Sequence, residues 1–142
     1  MKTELEKNFS AIIVRMQEKY QQKEDLFHYA PCLVPAWEPL IDEIIELIEE
    51  WNSDCAENHK LRIFQMKEKF GQFVVYLEPY NGNGEGEVPD SIRNAVNSIA
   101  NEGIKLCLVC GERKVQTVVE SRLQWRCLDH WDQNTRWKVR EC

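Results

Sequence analysis

Two ligand pairs in the last third of the chain constrain its folding more than any other feature. Cys107 and Cys110 are followed directly by Gly111, Cys127 and His130 form a second pair, and sixteen residues separate Cys110 from Cys127. Two pairs, each spaced i and i+3, supply the four corners of a tetrahedral zinc site, each pair spanning one tight turn. Gly111 suits a knuckle, where backbone amides point at the sulfurs and a side chain would crowd the turn. Between the pairs, Lys114–Glu120 and Leu123–Arg126 have strand composition and read as a hairpin returning the chain to the metal. A short helix through Trp131 and Trp137 would follow, completing a treble-clef-like module. With all four positions filled by protein, the expected Zn2+ is structural, because no place remains for water or substrate. It staples a segment too small to bury enough apolar surface alone. A redox Cys-x-x-Cys is the weaker reading, since no βαβ pattern surrounds Cys107.

The preceding residues read as helices and a hairpin. Leu5, Phe9, Ile12, Ile13, Met16 and Tyr20 recur at helical spacing over residues 3–24. A stretch punctuated by Pro31, Pro35 and Pro39 reads as a stiff connector. From Trp37 to Trp51 a wide apolar face (Leu40, Ile41, Ile44, Ile45, Ile48) opposes an acidic one, and Asn52–Asn58 reads as a polar loop. Residues 61–67 and 72–78, rich in Ile, Phe, Val and Tyr, flank Lys69-Phe70-Gly71 as a hairpin. Tyr80–Val88 alternates glycines, yet no helix opens directly after it and it carries Glu85 and Glu87, so it is a loop rather than a phosphate cradle. Asp90 or Ser91 is expected to cap a helix containing Ile92, Val96 and Ile99, with Gly103 at its C′ position. The expected architecture is α+β: N-terminal helices and a hairpin core over 1–103, with a treble-clef-like zinc module over 104–142 packed on it.

Charge and length narrow the function classes. The 142 residues carry 24 acids and 18 bases, a formal charge of −6, distributed unevenly. Residues 1–60 hold 13 acids and 6 bases, whereas 104–142 hold 5 acids and 8 bases. No stretch approaches the roughly 18 apolar residues a membrane span needs, and no secretory signal is visible. The expectation is a soluble, cytoplasmic protein that makes no membrane contact. Of three histidines, His130 is assigned to zinc, while His28 and His59 lack a neighbouring serine or cysteine motif to activate. Asp129-His130 has a faint likeness to a ββα-metal nuclease, but the further histidine such a site needs does not follow. The reading is therefore not an enzyme, with a hydrolase of unrecognised site as one alternative.

Two surfaces remain for binding. Glu38, Asp42, Glu46 and Glu49, continued by Glu50, form an acidic helical stripe suited to a basic protein partner. Arg126, Arg136, Trp137 and Lys138 interleave basic and aromatic groups, as nucleic acid requires, and make an adaptor binding nucleic acid the other alternative. A charge of −6 argues against general nucleic-acid affinity and leaves only a local patch.

The run Gln65-Met66-Lys67-Glu68-Lys69-Phe70-Gly71-Gln72-Phe73, with Cys107-x-x-Cys110-Gly111 and Trp125-x-Cys127-x-x-His130, resembles a set of small uncharacterised bacterial and phage proteins. In that set a tryptophan-bearing apolar helix leads into a KEKFG-like hairpin, and a helix precedes a CxxCG…W…CxxH knuckle. The resemblance covers roughly residues 37–131 and brings no assigned activity. Its phage and mobile-element setting implies a small accessory protein acting on host machinery, in its sharpest form an inhibitor of a host defence complex.

Overall fold

The computed structural model describes residues 4–55, 59–69, 72–80, 87–103, 115–119 and 122–126. Helix α1 covers Glu4–Gln21 and a 3-10 turn covers Glu24–Leu26. A second 3-10 turn, Pro35–Trp37, leads into α2, Glu38–Asp54. Strands β1 (Leu61–Lys69) and β2 (Gln72–Pro79) form an antiparallel hairpin, and α3 covers Asp90–Glu102. Strands β3 (Val115–Val119) and β4 (Arg122–Arg126) form a second antiparallel pair. The fold is α+β, as the periodicities predict.

Helix α2 carries the core. Ile41, Ile44, Ile45 and Ile48 recur at three- and four-residue steps and are buried, each contributing roughly 1.5–3 kcal/mol by leaving water. Pro39 sits in the first turn, where its missing N–H has no intrahelical acceptor to lose. The helix runs past the predicted loop boundary through Asp54 because Asn52 is bonded on both sides of its carboxamide. Its Oδ1 accepts the Leu61 N–H at 2.8 Å and its Nδ2 donates to the Leu61 carbonyl at 2.9 Å. A polar residue thereby fixes the start of β1.

The connector expected from the prolines is also part of the sheet. Phe27 bridges Ile63 in parallel, and the N–H groups of His28, Tyr29 and Cys32 donate to the carbonyls of Ile63, Phe64 and Met66 at 2.8, 3.2 and 3.1 Å. β1 therefore lies between β2 and residues 27–32. Its register steps from Ile63↔Leu77 to Gln65↔Tyr76, an extra residue of the kind that bends a strand and re-aims a side chain. Ile63 and Met66 thus both face the core, while Phe64 packs outside against His28 and Tyr29.

Two expectations about α3 are corrected. Pro89 occupies the N-cap position and no side chain caps the helix, although Asp90 still places a negative charge in the first turn. Gly103 adopts φ −72°, an ordinary right-handed conformation, so a left-handed C′ is not its role. A Cβ there would lie 3.1 Å from Trp37 Nε1 and 3.2 Å from both Leu40 Cδ1 and Phe73 Cβ. Glycine is needed for space. Trp37 is fully buried and meets Phe73 edge to face at 4.4 Å between ring centres, and among the described residues its indole N–H has no hydrogen-bond partner.

Candidate functional site

The acidic stripe of α2 is divided by its own neighbour, α1. Arg15 grips Glu38 with both terminal nitrogens, at 2.6 and 2.7 Å. Lys19 reaches Asp42 at 2.6 Å and Glu38 at 3.2 Å, and Lys23 reaches Glu49 at 2.9 Å. The Arg15 hydrogen bonds hold the Glu38 carboxyl below the usual carboxylate range, against the opposing effect of partial burial. The Tyr20 hydroxyl donates to Asp42 Oδ1 at 2.8 Å. Burial first, then that bond, pushes the phenol well above its ordinary value. Of the four stripe residues, Glu38, Asp42 and Glu49 are thus engaged within the chain, and Glu46 is exposed. Together with the exposed Glu43 and Glu50 it forms a narrower outward ridge.

Beside α1 lies a cleft of about 830 Å3, walled by α1, by residues 24–33 and by β1. Its apolar lining includes Ile13, Phe27, Leu33 and Met66, and its acids are Glu24 and Asp25. His28 stands at its edge, stacked on Tyr29 at 4.6 Å and met edge-on by Phe64 at 5.0 Å. His28 Nδ1 is 2.7 Å from Glu78 Oε1, which also accepts from Arg62 Nε. Arg62 Nη2 lies 3.2 Å from the same ring nitrogen, so Nδ1 is engaged within the chain. Nε2 is left as the ring atom that can meet a ligand, the arrangement by which carboxylates orient working imidazoles. The sequence assigns His28 no role, because no serine or cysteine motif adjoins it. Glu78 lies fifty residues away, and only the register Arg62↔Glu78 brings it there.

The cysteines divide likewise. Cys55 is a free, half-buried thiol. Cys32 is disulfide-bonded, and its partner lies outside the described residues. Cys107, Cys110, Cys127 and His130 also lie outside them, as do Arg136, Trp137 and Lys138. Among the described residues no group of His, Cys, Asp and Glu is arranged to hold a metal ion. Of the segment between the ligand pairs, the hairpin is described: Val115 faces Arg126 and Val119 faces Arg122. Its two open ends therefore lie side by side, one five residues after Cys110 and the other directly before Cys127. Arg126, from the basic-aromatic set, occupies the last position of β4.

Compared with family models, curated proteins and solved structures, the chain matches none. Among the described residues no helix is long and apolar enough to cross a membrane.

Proposed function

We propose that this chain is a non-enzymatic interaction protein, stapled by a structural zinc at Cys107, Cys110, Cys127 and His130, that binds a protein partner through the acidic surface of α2. The observation that carries this reading is the division of the acidic stripe. Arg15, Lys19 and Lys23 engage Glu38, Asp42 and Glu49, while Glu43, Glu46 and Glu50 stay exposed. Such a ridge steers and orients a basic surface on a partner rather than supplying affinity by area. The hairpin register supports the zinc half, since a four-ligand site built from two pairs needs the intervening segment to return to its starting end. The resemblance to phage-borne proteins adds a sharper form, an inhibitor that docks on a host defence complex.

Co-purification from host lysate with metal analysis tests the reading. One zinc per chain and a stoichiometric protein that is lost on Glu43→Lys with Glu46→Lys are the expected results. A metal-free folded chain would overturn the staple. Recovery of nucleic acid with a steep salt dependence, abolished by charge reversal at Arg136 and Lys138, would favour the adaptor reading instead.

A further inference from the structure

We infer that the cleft between α1, residues 24–33 and β1 is a docking groove for an extended, lysine- or arginine-bearing segment of a protein partner. This rests on the reading of the chain as an interaction protein and adds the place and chemistry of one contact.

The lining has three parts that together match such a segment. Its charged members are Glu24 and Asp25, both exposed, and no Lys or Arg lines it among the described residues. The cations nearest in sequence, Lys19 and Lys23, are drawn across α1 to Asp42 and Glu49. Among the described residues the charged lining is therefore acidic, complementary to a cationic side chain. The apolar floor, with Phe27 and Met66 at its base, takes alternate side chains of an extended strand.

The third part is amide chemistry. Gln17, Gln21 and Gln65 line the groove, and their carboxamides hydrogen-bond nothing among the described residues. Each carboxamide presents one acceptor and two N–H donors, which serve the alternating C=O and N–H groups of an extended backbone.

The test uses the full-length chain and a fluorescein-labelled peptide of alternating lysine and leucine, read by anisotropy at low ionic strength beside an alternating glutamate–leucine control. The lysine peptide is expected to bind saturably, and Glu24→Gln with Asp25→Asn to weaken it about tenfold, roughly 1.4 kcal/mol. Both acids are exposed, so the variant keeps its fold. Asp54→Asn with Glu87→Gln removes the same charge at exposed positions elsewhere and is expected to leave binding unchanged. Equal weakening by the two variants would mean diffuse attraction to an acidic protein and would overturn the inference, as would binding of the glutamate peptide. Binding that emerges only after reduction of the Cys32 disulfide would make the occupant another segment of this chain. Peptide-driven dissociation of a dimer would make it a second copy; either result overturns the inference. A co-purified partner that binds Glu24→Gln with Asp25→Asn as tightly as wild type would sink the groove and leave the interaction reading standing.

Discussion

The Arg15 guanidinium and the Glu38 carboxylate form a two-pronged ion pair that joins α1 to the first turn of α2, with bonds of 2.6 and 2.7 Å. The Glu38 side chain is only 16% exposed while that of Arg15 is 56% exposed. Solvent screens the pair from the Arg15 side, so its contribution is that of a surface ion pair, small and sensitive to salt.

That pair has a pH signature. The folded Glu38 carboxyl lies below its unfolded value of about 4.3. A depressed carboxyl contributes its full stability above the unfolded value and loses it as pH falls through the folded value. Urea midpoints of wild type and Glu38→Gln are expected to differ at neutral pH and to converge as pH drops below 4.3, about the unfolded value. A constant gap across that range would show that the carboxylate charge is immaterial.

Tyr20 gives a second measurement. Its hydroxyl donates to Asp42 within a core position that is 4% exposed. Tyr20→Phe removes a charge-assisted bond and is expected to cost roughly 1.5–3 kcal/mol in denaturant unfolding. The near-ultraviolet tyrosinate signal should rise equally in wild type and variant until the fold is lost at alkaline pH, because the phenol is held protonated.

Asn52→Ala tests the polar start of the hairpin. It orphans both the N–H and the carbonyl of Leu61, a residue only 2% exposed. Roughly 1–3 kcal/mol per group sets the scale of the loss. Hydrogen exchange at the Leu61 amide should accelerate more than at Met66, and equal protection in variant and wild type would remove Asn52 from that role.

Gly103→Ala adds one methyl group against Trp37, Leu40 and Phe73. Overpacking of this kind costs typically 1–3 kcal/mol, larger than the helix-propensity gain of about 1 kcal/mol. Thermal unfolding should therefore fall, and Leu40→Ala should cost less in the Gly103→Ala background than in wild type. A simply additive pair would mean that the contact does not limit the packing.

The helices and both hairpins were legible because their apolar residues repeat at periods of 3.6 or 2. Ile41, Ile44, Ile45 and Ile48 admit one reading, and so do the alternating Phe73 and Val75. The division of the acidic stripe was hidden because Glu38 and Asp42 meet cations 19 and 23 residues earlier in the chain, and periodicity within one helix carries no record of its neighbour. The pairing of residues 27–32 was concealed by Pro31, which signals a connector although it falls between the donors at Tyr29 and Cys32. Gly103 was placed correctly at the end of α3 for the wrong cause, since sequence alone does not distinguish a glycine chosen for its dihedral from one chosen for its volume.

By joining β1 before the chain has entered α2, residues 27–32 make α2 the long arm of a loop clasped at both ends by a single strand. His28 bonds Ile63 at one end, and Asn52 bonds Leu61 at the other. The arm cannot be lifted away while either clasp holds, so the helix and the strand should open to solvent as one unit. The amides of Ile44 and Ile63 would then share a single exchange free energy even though they stand in different kinds of secondary structure.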